Sequence, residues 1–220
     1  MKKVILCIFV FSFLIGGLSF GLYKHLSPKE VTVNGAIAGL TQEELILNSD
    51  LIITGTVTKI NESKWSNPEK IKDKRNVLQT DVEIEIDDIL LGEYDLNTAV
   101  VRVNKGYDKK TKTRYISDGY PDFYEGENVL IFLARDDGDL KTDENYFVTV
   151  GMIQGKWSCD KETGKIDNDK TPENYSLEGK TIGEMKSEVK EQITKNPNYK
   201  EERALKREET RKRNIELFGE

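Results

Sequence analysis

The stretch "TDVEIEIDDIL", residues 80–90, decides the fold. Its apolar and acidic residues alternate, which is typical of a β-strand with one face in a core and the other in water. The alternation then changes phase, because Asp87 and Asp88 are adjacent and place Ile89 on the opposite face. This change predicts a bulge or a bend, of the kind that curves a strand into a small barrel.

Further strand signals lie on both sides of this stretch. Leu51–Ile60 is rich in β-branched residues, and the segments "TAVVRV" and 129–133 predict a third and a fourth strand. The segment "NYFVTVGMIQGKWS" predicts one long strand or two, interrupted at Gly151 or Gly155. "CDKETGKI" predicts a hairpin turn with Gly164 at positive φ. We therefore expect a mainly β fold, a small antiparallel barrel that is closed or partly open.

Two helices are expected outside the barrel. Thr41 and Glu44 have the spacing of a capping box, which predicts a short helix before the first strand. Beyond Pro197 the chain mixes both charges with few apolar residues, which is typical of a solvated helix or a disordered tail. Ahead of that proline, an amphipathic helix is predicted by apolar residues at helical spacing, namely Ile182, Met185, Val189 and Ile193.

The N-terminus carries an apolar segment. It runs from Val4 to Tyr23 without a charged residue and follows Lys2 and Lys3. Its length matches the ~20 residues that a membrane-spanning helix needs, and the basic start favours a single pass with the C-terminal domain outside. The alternative is a signal segment cleaved near Ser19, which would give a secreted protein.

These signals divide the chain into four parts. Residues 1–26 form the membrane anchor or signal segment, and residues 27–50 form a linker with the short capped helix. Residues 51–170 form the β-barrel domain. Residues 171–220 form a helical, charged C-terminal segment.

The composition argues against common catalytic and metal chemistry. The only histidine, His25, precedes the predicted domain, which excludes histidine triads and histidine-dependent zinc sites from it. Cys159 is the one cysteine outside the apolar segment, so no intramolecular disulfide is expected. The acidic loop at 136–143 lacks the spacing of a calcium-binding loop. With a net charge of -6, the protein is not expected to bind nucleic acid. We predict no catalytic residue, metal or cofactor.

Two loops between predicted strands are basic and aromatic, one between the first and second strands and one between the third and fourth. On an acidic protein they would form a patch for an anionic polymer, with rings stacking on sugars and cations attracting anions. The alternative is that lysines simply accumulate in loops. Two tyrosines of "GYPDFYEGENVLIFLARDD" are added to the candidates, which are Trp65, Lys105, Tyr107, Lys110, Arg114, Tyr120 and Tyr124.

The order of four segments resembles a known group of proteins. These segments are "SDLIITGTV", "VEIEIDDILLGE", "FYEGENVLIFLARD" and "YFVTVGMIQGKW". The chain resembles poorly characterised exported proteins of Gram-positive bacteria and, more distantly, tissue inhibitors of metalloproteinases and netrin-like modules. Over residues 49–157 the resemblance implies an OB-like barrel. Those inhibitors chelate zinc with an N-terminal cysteine, and no cysteine stands at a comparable position here, so that mechanism is not carried over.

Together these signals predict a non-catalytic binding or interaction module of the cell envelope, tethered to the membrane. The expected partner is an anionic envelope polymer or an envelope protein. A carboxylate-dependent hydrolase of a cell-wall polymer is the alternative, because carboxylates are abundant. A cleft with two carboxyls of raised pKa would favour the enzyme, and a shallow basic and aromatic face would favour the binding module.

Overall fold

A computed structural model describes residues 28–33, 39–70, 76–135, 145–167, 177 and 179–218. The predicted anchor and the acidic loop at 136–143 lie outside these ranges. Among the residues that the structure describes, no helix combines the length and the apolar character that crossing a bilayer requires.

The described chain is mainly β, as predicted. Its helices are α1 (Gln42–Leu47), α2 (Ile182–Lys195) and α3 (Tyr199–Phe218), with short 3-10 turns at Pro68–Lys70 and Met152–Gly155. Its strands are β1 (Lys29–Val33), β2 (Leu51–Ile60), β3 (Lys64–Trp65), β4 (Leu78–Leu91), β5 (Thr98–Val103), β6 (Gly106–Asp108), β7 (Thr113–Ser117), β8 (Asn128–Arg135), β9 (Phe147–Thr149), β10 (Lys156–Cys159) and β11 (Ile166–Asp167).

Five strands form a closed barrel, which confirms the predicted β-barrel, although one of its pairings is parallel rather than antiparallel. The order around the barrel is β8, β2, β4, β5 and β9, and β9 returns to β8. Neighbours are antiparallel except β5 and β9, which meet in parallel where Val101 pairs with Phe147. The first half of β8 pairs with β10 and its second half pairs with β9, so the sheet also continues outward through β10 to β11.

The change of phase in the acidic strand is a bulge. Thr54 pairs with Asp88 and Gly55 pairs with Ile86, so Asp87 is the extra residue of β4. The bulge bends β4 as barrel closure requires, and the prediction is confirmed. Gly55 lies beside the bulge. A side chain is excluded at this position, because its Cβ atom would stand 2.4 Å from the carbonyl oxygen of Glu85.

Alternate residues of the same strands serve two hydrophobic cores. Leu51 and Ile53 of β2 face the barrel interior, together with Val129, Ile131 and Leu133 of β8. The intervening residues face outward and are covered by α1, α2 and the strands β10 and β11. This helix-side core contains Leu45, Ile46, Ile52, Leu130, Phe132, Trp157, Met185 and Val189.

The local helix and turn predictions are confirmed. Thr41 and Glu44 form the capping box of α1, and Met185 and Val189 form the buried face of α2. The segment "NYFVTVGMIQGKWS" is two strands separated by a 3-10 turn that starts after Gly151. Gly164 has φ of +65° in the turn between β10 and β11. The charged segment beyond Pro197 is the helix α3.

Candidate binding surface at the hairpin end of the barrel

The two basic and aromatic segments meet at one end of the barrel. There β2 ends at Ile60, which pairs with Val82, and β5 ends at Val103, which pairs with Thr80 near the start of β4. The Ser63 hydroxyl lies 2.8 Å from the Thr80 hydroxyl and accepts a 3.0 Å hydrogen bond from the backbone N–H of Tyr107. We call this the hairpin end.

The second segment is a β-hairpin rather than an irregular loop. Strands β6 and β7 are joined by a turn that Asp108 organises, since its carboxylate accepts the backbone N–H of Lys110 at 2.9 Å and the hydroxyl of Thr111 at 2.8 Å. Partial burial raises the pKa of Asp108, but hydrogen bonds from Thr111, Lys110 and Trp65 lower it by more. The carboxylate therefore stays ionised at neutral pH and holds the basic tip in one shape.

A third strand supports the hairpin from its other side. Strand β1 pairs in parallel with β7, from Lys29 opposite Thr113 to Val33 opposite Ser117. The backbone N–H of Lys29 donates to the carbonyl oxygen of Lys112 at 3.1 Å. This strand was not predicted as part of a sheet with the basic segment, and it brings the beginning of the described chain to the hairpin tip.

The faces of the hairpin decide which side chains reach solvent. Tyr107 and Arg114 are paired across β6 and β7, so they share one face, and both are exposed. Tyr115 lies on the opposite face, where its ring meets the ring of Trp65 edge-on at 5.2 Å. Trp65 is half-buried and also bonds Asp108, so it supports the hairpin from below.

Two further candidates hold the loop between β7 and β8. The ammonium of Lys105 donates to the carbonyl oxygen of Tyr120 at 3.0 Å and to the Asp122 carboxylate at 2.5 Å. The Tyr120 hydroxyl accepts from Asn104 at 2.9 Å, and its ring packs against the barrel core. Tyr124 lies in the same loop and is 60% exposed.

The structure therefore separates the seven candidates by environment. Trp65, Lys105 and Tyr120 make internal contacts. The side chains of Tyr107, Lys110, Arg114 and Tyr124 are exposed at the hairpin end. Lys109 belongs to the same basic segment but was not among the seven candidates, and at this tip it forms an ion pair with Glu62. We define the hairpin patch as Tyr107, Lys109, Lys110, Lys112 and Arg114.

A buried ion pair stands beside the patch. The Arg102 guanidinium binds the Asp81 carboxylate through two hydrogen bonds of 2.6 and 2.8 Å, and Lys64 lies 3.3 Å from the same carboxylate. Asp81 was expected on the water-exposed acidic face, but Arg102 covers it and is itself stacked over Tyr146 at 3.9 Å. Lys64 is thereby engaged by the barrel.

Several titratable groups of the described chain have displaced pKa values. Burial and the nearby carboxylates of Asp87, Asp160 and Glu127 raise the pKa of Cys159 to about 11, so its thiol is a poor nucleophile at neutral pH. Hydrogen bonds from Asn61 and Lys59 lower the pKa of Glu83. Within the described ranges, no three His, Cys, Asp or Glu side chains come together in a group that could hold a metal ion.

No family model matches this chain. A search of curated proteins gave no match either. The resemblance to exported Gram-positive proteins, tissue inhibitors of metalloproteinases and netrin-like modules stays a prediction.

Proposed function

We propose that this protein is a non-catalytic binding module, tethered to the cell membrane with its barrel outside, and that the hairpin patch binds an anionic polymer of the cell envelope. The observation that carries the proposal is the pairing of an exposed aromatic ring, Tyr107, with the exposed cations Lys110 and Arg114 on one rigid hairpin. Rings stack on the sugars or bases of a polymer and cations attract its charged groups, so the combination suits a polyanion.

Rigidity of the hairpin supports this proposal. Asp108 fixes the turn from inside, β1 pairs along β7, and the Trp65 ring contacts Tyr115 from below. A surface that is ordered before binding loses little conformational entropy when the ligand arrives. The backbone that carries the cations of the patch is therefore held in place before the ligand binds.

We also infer that the barrel is of the OB type. Five strands with one parallel contact, between β5 and β9, are compatible with the Greek-key barrel of that class. OB barrels bind oligonucleotides and oligosaccharides partly through the loop between their first two strands. Here that connection lies at the hairpin end, where its Lys64 contacts Asp81 and its Trp65 supports the hairpin through Tyr115. This likeness raises the expectation of a polymer ligand, but a shared fold does not identify the ligand.

The carboxyl groups favour binding over hydrolysis. A glycosidase needs one carboxyl with a raised pKa to act as the acid. In the described part of the chain, carboxyls with a displaced pKa are displaced downward, as in Asp81, Glu83, Asp108 and Asp160. These groups remain ionised and accept hydrogen bonds.

The test is a binding titration of the full chain in detergent micelles with lipid-free teichoic acid. We expect saturable binding that weakens as salt is added, because the cations are at the surface. Tyr107→Ala should weaken binding at least ~fivefold, since base or sugar stacking on one ring contributes ~1–3 kcal/mol. Arg114→Gln should weaken it and reduce the salt dependence.

The matched control is Lys190→Gln, which removes an exposed cation from α2, outside the patch. It should bind as the unmodified protein does. Equal binding by Tyr107→Ala, Arg114→Gln and the control would refute the proposed patch. Release of short fragments from the polymer during the titration would instead support the hydrolase.

A further inference from the structure

The hairpin patch stands where the described chain begins. Lys29, the first residue of β1, donates its backbone N–H to the carbonyl oxygen of Lys112 at the hairpin tip. The apolar run that ends at Tyr23 lies only six residue steps before Lys29. Six extended residues cover at most about 20 Å. If the apolar run spans a membrane, the hairpin tip lies within that distance of the membrane surface.

The side chains around this point have the composition of a membrane interface. Tyr107 is 37% exposed on one face of the three-stranded sheet, and Val31 and Val33 of β1 are 41% and 58% exposed on the other face, because Val31 pairs with Tyr115. Lys29, Lys110 and Lys112 are exposed beside them. Aromatic rings favour the level of the lipid headgroups, and lysines there are attracted to anionic phosphates.

The distribution of charge along the barrel favours an orientation in which the hairpin end faces the membrane. Strand β4 begins at the hairpin end, and its exposed acidic residues Glu85 and Asp87 lie further along the strand, towards the opposite end. The chain as a whole carries -6. At the hairpin end Glu62 pairs with Lys109 and Glu30 stands opposite Arg114, so the cations that an anionic membrane would attract there are Lys29, Lys110 and Lys112. The same membrane would repel the acidic residues of β4 and so orient the barrel with its hairpin end towards the bilayer.

We propose that residues 109–112 of the hairpin tip, together with Lys29, contact the phosphates of anionic lipid headgroups in the membrane that holds the N-terminal segment. This inference rests on the proposed function in treating the hairpin patch as an anion-binding surface, and it names lipid phosphate as the anion. The barrel is then docked on the bilayer as well as tethered to it.

The experiment uses the full chain inserted into vesicles of phosphatidylcholine, either alone or mixed with phosphatidylglycerol. A membrane-impermeant amine acylating reagent is added, and the rate of modification of each lysine is followed by mass spectrometry. We expect Lys110 and Lys112 to react about fivefold more slowly in the anionic vesicles, because a lysine near such a surface gains ~1 kcal/mol. Added salt should remove the difference.

Two exposed lysines outside the patch, Lys190 of α2 and Lys200 of α3, are internal references that should react equally in both vesicles. A charge reversal, Lys110→Glu, should restore fast modification of Lys112 in anionic vesicles. The side chain of Lys110 is exposed, so this variant should keep the fold, and tryptophan fluorescence checks that it does.

Lipid-free teichoic acid added to the neutral vesicles separates the two proposals. Protection by anionic lipid supports this inference, whether or not the free polymer also protects. Protection by the free polymer alone overturns the inference and leaves the proposed function standing. Protection by neither overturns both. Failure of the full chain to float with neutral vesicles also overturns the inference, because no membrane segment would then hold the hairpin at the surface.

Discussion

The buried charge of Arg102 is neutralised by the carboxylate of Asp81. Arg102 is 4% exposed, and two hydrogen bonds to Asp81 and the ring of Tyr146 surround its guanidinium. Burial alone would raise the pKa of Asp81, but Arg102 and Lys64 outweigh it and leave the pKa below its ordinary value of 3.8. The pair is stable because the fork of the guanidinium matches the carboxylate.

Removing the carboxylate should therefore be costly at neutral pH. Asp81→Asn leaves the Arg102 charge buried without its partner, and we expect unfolding free energy to fall by about 3 kcal/mol. Because the folded-state pKa of Asp81 lies below the unfolded value, the contribution is complete above the ordinary pKa and is lost as pH falls through the folded pKa. Denaturant unfolding of both proteins at several pH values should show the gap shrinking below about pH 4.

Glu83 supplies the matched control. It lies two residues further along β4, on the same face, and pairs with Lys59 at the surface. Exposed pairs contribute little, so Glu83→Gln should change stability far less than Asp81→Asn does. If the two variants were equally stable at neutral pH, the buried pair of Asp81 and Arg102 would contribute no more to the free energy of unfolding than the exposed pair of Glu83 and Lys59.

Among the elements, α3 is held to the barrel by one face. Tyr199 is buried, and Arg203 and Arg207 follow at helical spacing. Arg203 donates to the Ser49 carbonyl and to Asp50, and Arg207 donates to the Asp50 carboxylate at 2.9 Å. Asp50 lies at the start of β2, at the end of the barrel opposite the hairpin. The segment is a docked helix rather than a free tail.

Loss of both arginine contacts should release this helix. In Arg203→Gln with Arg207→Gln, we expect the amides of α3 to exchange hydrogen about tenfold faster or more, because the three hydrogen bonds of the two arginines, each contributing ~1 kcal/mol, are lost. The amides of β2 and β8 should be unchanged. Hydrogen exchange measured by mass spectrometry on the full chain gives both readouts.

The control for α3 is Arg211→Gln with Arg213→Gln, which removes the same charge from exposed positions of the same helix. It should leave exchange unchanged. Unchanged protection in the Arg203 and Arg207 variant would show that Tyr199 and the helix's own propensity are sufficient to hold the segment.

Elements with local causes could be predicted from the sequence. The capping box of Thr41 and Glu44, the bulge at Asp87 and the turn at Gly164 each depend on residues close together in the chain. Strand β1 could not be predicted as a partner of β7, because the pairing joins distant segments. The β6 and β7 hairpin did leave a signal, since Asp108 precedes a Lys-Lys-Thr turn.

The sequence composition predicted which segments form the candidate surface, but not which of their side chains are exposed on it. Two basic and aromatic segments were visible in the sequence, and the barrel topology brings them to one end. Which rings and cations are exposed depends on the register of β6 against β7, which puts Tyr107 outside and Tyr115 inside. Lys105 was a reasonable candidate by charge, but its Asp122 partner comes from another loop and composition cannot reveal it.

The whole molecule is organised by strands that serve two cores at once. In β2, Ile53 points into the barrel and its neighbour Ile52 points towards the helices. Strand β8 repeats the arrangement with Ile131 and Phe132. Because one backbone supports both cores, neither should lose its packing while the other keeps it. The barrel and the helices should unfold as one unit.

The tryptophans allow this coupling to be measured. The chain has two, and Trp65→Phe leaves only Trp157, which is buried in the helix-side core. In that background, Ile53→Ala in the barrel core and Met185→Ala in the helix-side core should each lower unfolding free energy by about 2–5 kcal/mol. Trp157 fluorescence and far-ultraviolet circular dichroism should report the same midpoint for each variant of the full chain in detergent.

The informative result is the response of Trp157 to Ile53→Ala, because this residue belongs to the other core. If the midpoint measured by Trp157 fluorescence shifts as much as the midpoint measured by circular dichroism, the shared strands transmit the loss of stability from the barrel core to the helix-side core. Lys190→Ala, an exposed substitution on α2, should shift neither signal. If Trp157 kept its midpoint while the dichroism shifted, the two cores would be independent, and the continuous backbones of β2 and β8 would not couple them.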